Sequence, residues 1–305
     1  ALAGNEESRQ NTAGAQFQSE QAGNVDFVCE TEEALLDQLR ILVDVLPSDY
    51  EAEDVYFDND DDLNRVIPEL NDAAYDAAYI LKSISDNNMY IETKAAYAKE
   101  MVTAFIRLNG ETVGAVANRT KVYDDDMNVA AEFDAKLTAK GCNKAAEFVN
   151  FCDAFNIPVL TLTNVNGFAA TMCQEKNGAK ASSKLVYAFA NATVPKVNLI
   201  IGDAIGSAYV TMNSKATGAD IVYAWPTAKV GMMEAKSAVE IMYADEIASG
   251  DANQVINEKV AEYQNLQGSV MAAAARGYVD SIVEPVDTRK YLIGAFEMLY
   301  TKFEE

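Results

Sequence analysis

Two stretches between Ile157 and Tyr243 each pass from an apolar strand through a glycine-containing turn into a helix. The first runs Ile157–Thr163, then Asn164-Val165-Asn166-Gly167-Phe168, then a helical run to about Ala192. The second runs Lys196–Gly202, then Ala204-Ile205-Gly206-Ser207-Ala208-Tyr209, then a helix toward Lys215. A buried strand that ends at glycine and opens a helix leaves backbone N–H groups without intrahelical acceptors, and these can hold an anion or a developing oxyanion. Turns of the same spacing serve packing alone in many α/β proteins, so spacing leaves both readings open.

Other chemistries are narrowed by what the chain lacks. It contains no histidine, which removes Ser-His-Asp and Cys-His machinery and any imidazole-ligated metal within these 305 residues. Cys29, Cys142, Cys152 and Cys173 are scattered without a CxxC pair and read as reduced thiols. The acidic runs Glu51–Asp62 and Asp124–Asp126 lack the ligand spacing of a calcium loop and read as solvated surface, so no metal is expected in the chain. No P-loop or GxGxxG fingerprint occurs.

Composition sets the class. Half the residues are hydrophobic, enough for a large core, and 47 acidic side chains against 24 basic ones give a formal charge of −23. Such a surface repels phosphate backbones, so nucleic-acid binding is not expected. No stretch approaches the length of a membrane-spanning helix, and the chain reads as cytoplasmic.

The elements that must position the two turns can be read in order. Residues 1–30 are polar and look like a tail or the end of an upstream unit. Thr31 caps a helix with early acids that stops at Pro47, and its broad apolar face is expected to dock on the body. Short helices are expected at Leu63–Leu70 and Tyr75–Ser85 and a strand at Met89–Glu92. A hairpin then follows in which Asn109-Gly110 joins Thr103–Leu108 to Glu111–Ala117. Ala130–Phe155 reads as one long helix bent near Gly141. Asp220–Trp225 and Lys229–Met233 supply two more strands, and helices follow near Glu234–Ala244, Gln254–Gln264 and Thr288–Phe303. This alternation predicts an α/β fold with a mostly parallel central sheet flanked by helices.

The order of several motifs resembles the biotin-dependent carboxyltransferases, the acyl-CoA carboxylase β subunits such as that of propionyl-CoA carboxylase, and the related methylmalonyl-CoA and glutaconyl-CoA decarboxylase subunits. These motifs are Phe148–Pro158, Asn164–Phe168, Gln174-Glu175, Lys184–Lys196, Ala204–Tyr209 and Tyr223–Ala228. Arg107–Gly110, Val116–Asn118, Arg276–Asp280 and Glu284-Pro285 also follow the family's order. The resemblance covers roughly residues 22–300. It implies the crotonase/ClpP-like C-terminal domain over residues 31–305, with residues 1–30 a remnant of the N-terminal half.

On that resemblance, Gly206, Ser207 and Ala208 form the oxyanion turn, with the Ser207 and Ala208 amides as donors to the ureido oxygen of biotin. Gly167, Phe168, Gln174 and Glu175 fall on the biotin side, and Tyr209 and Val210 in the substrate pocket, with ordinary helix packing as the alternative reading of Val210. Ser207 stands where many members carry glycine, so a positive φ at 207 would be strained, and Asn166–Cys173 departs from the usual loop. Two uses of the fold stay open: carboxyl transfer between carboxybiotin and a propionyl-/methylmalonyl- or acetyl-/malonyl-CoA, or a noncatalytic assembly domain. Within the first, a sodium-pump decarboxylase subunit is a further alternative. The chain has no biotinylation motif, so biotin is expected on a separate biotin carboxyl carrier protein. Further implied partners are the N-terminal carboxyltransferase half, without which the chain is expected to be inactive, and biotin carboxylase or membrane decarboxylase subunits. A homo-oligomer, a dimer or a hexamer of dimers, is also implied.

Overall fold

The computed structural model describes residues 12–47, 58–72, 76–124 and 128–302. The sheet begins with the hairpin. Asn109 and Gly110 adopt φ 51° and 80°, the left-handed pair a type I′ turn requires, and join β2 (Met101–Leu108) to β3 (Glu111–Asn118). β1 (Tyr90–Thr93) adds antiparallel to β2. On the other side of β3 the sheet turns parallel, through β6 (Val159–Val165), β7 (Lys196–Ile205), β8 (Ile221–Ala224) and β10 (Ser281–Ile282). β9 (Lys229–Gly231) pairs with the far end of β7, and β4 (Lys121–Tyr123) with β5 (Val129–Glu132) forms a separate ribbon.

Both faces of the parallel region are covered, so β6 is buried throughout and β7 from Lys196 to Ile201, including their polar residues Thr161, Thr163, Asn164 and Asn198. On one face lie α3 (Ala139–Ala154) and α4 (Met172–Asn191), burying Phe148, Val149, Leu185 and Phe189 against Ile200 and Ala204 of β7. On the other, α2 (Ala77–Ile84) and α10 (Thr288–Leu299) bury Ile80, Leu81, Leu292 and Phe296 against Leu199 and Ile201. Each such side chain contributes about 1.5–3 kcal/mol by leaving water. Trp225 is fully buried there, its indole N–H donating to Thr288 Oγ1 at 3.0 Å.

Several expectations change. Residues 130–155 are not one helix: Val129–Glu132 pair as a strand, and α3 starts at Ala139, where Thr138 Oγ1 accepts the Gly141 N–H. Gly141 is thus a first-turn residue, not a bend. Residues 63–67 form no helix, a 3₁₀ turn follows at Pro68–Asp72, and the next helix is α2; Tyr75 lies outside the described residues. α1 (Glu32–Val45) has its Thr31 cap, yet Leu35, Leu36, Leu39, Ile41 and Val43 are exposed and only its last turn packs, through Leu42 and Val45. Within the acidic run, residues 51–57 lie outside the described set. Asp61 is no solvated surface charge: it pairs with Arg65 at 2.9 Å and accepts the Asn87 N–H at 3.0 Å. Asp124 accepts the Asn128 N–H at 2.8 Å; its two neighbours lie outside the described set.

Candidate functional site

Neighbouring parallel strands place their C-terminal ends on one sheet edge, and ligand sites form where such ends meet helix starts. Val165 of β6 and Ala204 of β7 are ladder partners, and each is followed two residues later by a glycine with positive φ, Gly167 at 142° and Gly206 at 67°. The two strand–glycine–helix units therefore bring their turns side by side. The helices they lead into, α4 and α5 (Gly206–Thr211), are in contact.

The first turn is strapped by the segment before α3. Asn166 N–H donates to Ala135 O at 2.7 Å, Leu137 N–H to Gly167 O at 2.9 Å and Ala169 N–H to Leu137 O at 2.9 Å. Lys136 Nζ donates to Asn166 O at 3.1 Å and would lie 3.3 Å from a Cβ at 167, so the lysine also crowds that position. Phe168 remains 37% exposed at the turn. Thr171 caps α4 by accepting the Gln174 N–H. Gln174 and Glu175 then diverge: Gln174 Oε1 accepts the Ala139 N–H and ties the starts of α3 and α4 together, while Glu175 faces solvent at the positive end of α4.

The second turn begins at a bulge. Thr163 pairs with Ile200 and Val165 with Ala204, so Asn164 alone stands opposite Ile201, Gly202 and Asp203. Asn164 Oδ1 accepts the Asp203 N–H at 3.0 Å. A Cβ on Gly202 would lie 2.5 Å from that same oxygen, so only glycine admits the approach. Beyond the bulge β7 leaves β8, whose pairing ends at Ile200, and takes β9 as partner from Asp203 to Ile205. Gly206 follows at once, with a Cβ position 3.2 Å from Met232 O.

The positive φ falls on Gly206 and not on Ser207, so the serine costs the turn no strain. Gly206, Ser207 and Ala208 open α5, whose Ile205 cap position supplies no side-chain acceptor. First-turn N–H groups have no acceptor within their helix, and no side chain among the described residues accepts from Ser207 or Ala208. Ser207 is exposed and Ala208 buried. Tyr209 turns inward with its hydroxyl unpartnered among the described residues, and burial first, then Asp280, pushes that hydroxyl up to about 12. Val210 is 41% exposed beside the turn. The predicted pair at 209–210 therefore splits, one residue facing the core and one facing out.

A buried polar set anchors α5 from below. Asn198 Nδ2 donates to Met212 O at 3.2 Å and Asn213 O at 2.9 Å, Thr163 Oγ1 donates to Asn198 Oδ1 at 2.9 Å, and Asn213 Nδ2 donates to Thr161 Oγ1 at 3.2 Å. Reading for glycine turns misses these residues and Asn164. The available signal was Asn and Thr recurring inside strands that bury both faces, since such groups must find partners.

Other features do not compete for the chemistry. Cys142 and Cys152 are buried, which pushes both thiols up, so neither is a poised nucleophile. Among the described residues no group of three or more His, Cys, Asp or Glu could hold a metal, and no helix is long and apolar enough to cross a membrane. A surface cleft of ≈ 460 Å³ between α3 and α4, lined by Asn143, Asn150, Lys180, Lys184 and Tyr187, contains none of the turn residues.

Comparison with known proteins adds to this geometry. The family profile described as "Carboxyl transferase domain" matches residues 1–305. The methylmalonyl-CoA carboxyltransferase 12S subunit of Propionibacterium freudenreichii subsp. shermanii is 36% identical over 99% of this chain and 57% of its own length. The putative propionyl-CoA carboxylase beta chain of Bacillus subtilis (strain 168) is 38% identical, covering 100% of this chain and 59% of that protein. The methylmalonyl-CoA decarboxylase subunit alpha of Propionigenium modestum is 35% identical with the same coverage, 100% and 59%. The crystal structure of transcarboxylase 12S, a hexamer with hydrolysed methylmalonyl-coenzyme A bound, superposes with a TM-score of 0.91 at 36% identity over 100% of this chain and 58% of that one. The chain thus spans less than two thirds of the length of these relatives.

Proposed function

The chain belongs to the carboxyl transferase domain family and has its crotonase-like α/β fold, and from that premise we propose that it is the biotin-facing half of an acyl-CoA carboxyltransferase. One observation carries the reading. A positive-φ glycine ends a parallel strand and opens α5 with amides that no side chain caps, beside a second glycine turn on the same sheet edge.

Biotin, carried on a separate carrier protein, supplies the carboxyl group when bound. The residues present fit it, because a planar ureido oxygen needs donors rather than a charge. Ser207 and Ala208 would hold that oxygen through their backbone N–H groups and would stabilise negative charge there, a preorganised arrangement that needs no histidine. Gly206 sets the direction of those donors, and Gly167 and Phe168 shape the biotin side. Gln174 acts one step back, by holding the starts of α3 and α4 together, and Glu175 stays at the solvent edge. Val210 lines the acyl pocket, while Tyr209 supports α5 from within.

The substrate is a short acyl-CoA: propionyl-/methylmalonyl-CoA, for which these relatives are named, or acetyl-/malonyl-CoA. Residues 31–305 form the C-terminal carboxyltransferase domain and residues 1–30 the end of the N-terminal half. That half completes the acyl-CoA site, so the chain alone turns over little or no substrate. The biotin carboxyl carrier protein docks at the turns, and biotin carboxylase or membrane decarboxylase subunits complete the assembly.

The test is transcarboxylation from methylmalonyl-CoA or malonyl-CoA to free biotin, with the chain alone and with the family's N-terminal half added. Activity in the mixture only is expected. Silence in both, with folding and association confirmed, would replace this reading with a noncatalytic assembly domain.

A further inference from the structure

We propose that Asn164 is the positioning residue of the oxyanion turn: its side-chain carbonyl pins the β7 bulge and thereby sets where the Ser207 and Ala208 amides point. The inference rests on the carboxyltransferase reading for its catalytic consequence, and on the bulge alone for its geometry. At the bulge three residues of β7 face one of β6, so the regular ladder cannot supply the Asp203 N–H with a backbone acceptor on that strand. Asn164 Oδ1 supplies it at 3.0 Å. Gly202 makes room, because any Cβ there would stand 2.5 Å from the same oxygen.

Position matters here because the bulge is where β7 changes partner. Pairing with β8 stops at Ile200, pairing with β9 starts at Asp203, and Gly206 comes three residues further on. An extended chain rises about 3.3 Å per residue, so Asp203 sits only about 10 Å from the turn along a stiff strand end. Releasing Asp203 leaves its N–H unpaired and frees the strand to slip, and a displacement on the order of 1 Å at the donors can cost about 100-fold in rate. Asn164 itself is held from β3, where Asn118 Oδ1 accepts its backbone N–H at 3.5 Å.

The experiment compares Asn164→Leu, Asn164→Asp and Gly202→Ala with a control, Leu160→Val, which trims the core from the same strand without touching the bulge. Asn164→Leu removes the acceptor at similar size, Asn164→Asp keeps an acceptor oxygen, and Gly202→Ala displaces the asparagine from the opposite strand. Each is assayed with the N-terminal half present, and the amide resonances of Ser207 and Ala208 are recorded by ¹⁵N NMR on the chain itself. Asn164→Leu and Gly202→Ala are expected to lower kcat by about 10–100-fold with KM for acyl-CoA within about twofold. Both also shift the two amide resonances, and Asn164→Asp regains most of the rate. The control keeps its kcat at a comparable loss of Tm.

Equal behaviour of Asn164→Leu and the control, or an Asn164→Asp as slow as Asn164→Leu, overturns the proposal. A silent wild type overturns the carboxyltransferase reading together with any catalytic role for Asn164. The Ser207 and Ala208 resonances then decide the positioning by themselves, and unshifted signals in Asn164→Leu and Gly202→Ala would end it. Should Asn164→Leu fail to fold, Gly202→Ala and Asn164→Asp give the same decision.

Discussion

Arg289 Nη2 donates to Asp86 Oδ1 at 2.6 Å with both side chains buried, joining residues 203 positions apart. The guanidinium also donates to Ile84 O at 2.6 Å and Asp62 O at 3.2 Å, and Asp86 accepts the Gly110 N–H at 2.7 Å. Helix α10 is thereby tied to the tip of the β2–β3 hairpin and to the acidic loop before it. Removing one partner of a buried pair strands the other charge, which costs about 3–5 kcal/mol. Arg289→Met should therefore lower the free energy of unfolding, read from urea titration, by that amount, and Asp86→Asn should cost less in the Arg289→Met background than alone. Additive losses in a double-mutant cycle would show the two are not coupled.

Asp61 belongs to the same network, and its carboxyl is held below the usual value. Burial pushes it up, but Arg65, the Asn87 N–H and Arg289 together outweigh that. A depressed folded value means the unfolded chain binds the proton more readily, so this contribution is full above pH about 4 and fades as pH falls through the folded value. Asp61→Asn should therefore flatten the acid side of the stability curve, read as urea midpoints between pH 5 and pH 2 relative to wild type.

Gly206 carries a strict local demand in the second turn of the candidate site. A left-handed backbone costs a side-chain-bearing residue roughly 1–2 kcal/mol, and an added Cβ would press on Met232 O at 3.2 Å. Gly206→Ala should lose on that order in stability but about 100-fold or more in transcarboxylation with the N-terminal half present, since the turn relaxes by moving its donors. Ser207→Gly should cost little, because Ser207 has ordinary helical geometry. A Ser207→Gly variant as damaged as Gly206→Ala would mean that the serine side chain matters and the turn geometry does not.

The parts of this architecture legible in the sequence are those fixed locally. Asn109-Gly110 specifies its own turn, Thr31 its own helix start, and the β-branched and aliphatic residues of 157–163 and 196–201 their strands. Gly167 and Gly206 announced two turns, although not that Val165 and Ala204 would pair and set them side by side. What escaped depends on distant partners. Val129–Glu132 looks helical by composition and becomes a strand because β4 pairs with it. Gln174 reads as a binding group in the sequence, and its Oε1 also accepts the Ala139 N–H, 35 residues away, a tie no local pattern announces. The bulge at Asn164 and Gly202 could not be read at all, since a three-for-one register appears only when both strands are in place.

Lys144 is buried beneath the loop after β1, where its Nζ donates to Lys94 O and Tyr97 O, each at 2.9 Å. Burial brings its ammonium down to about 8, with Arg119 and Lys94 adding to the effect against the pull of Glu92 and Glu100. With a folded value near 8 and an unfolded one near 10.5, the unfolded chain binds more protons between these limits, so stability from this group rises with pH across that window. Wild type should therefore gain urea midpoint relative to Lys144→Met as pH goes from about 8 to about 10. A difference that stays flat would mean that the ammonium is solvated as well in the fold as outside it.

The excursion between β9 and β10 holds α6 (Ala235–Met242), α7 (Ala244–Ser249), α8 (Ala252–Tyr263) and α9 (Val270–Ala275), with α8 packed on both α6 and α7. Around these helices Met232, Ile241, Met242, Leu266 and Met271 are all more than 60% exposed. Scattered single apolar residues need no explanation, but five in one excursion next to the Gly206 turn fit an interaction surface. Burying them against a second copy or the N-terminal half would contribute about 25 cal/mol per Å². Sedimentation velocity should accordingly show the chain above monomer mass at micromolar concentration. Ile241→Asp combined with Met271→Asp should return it to monomer without changing its circular dichroism. Because both sites are exposed, their replacement should leave the melting temperature of the monomer nearly unchanged, which separates lost association from lost folding. A wild-type chain that sediments as a monomer would rule out a second copy as the partner of this surface.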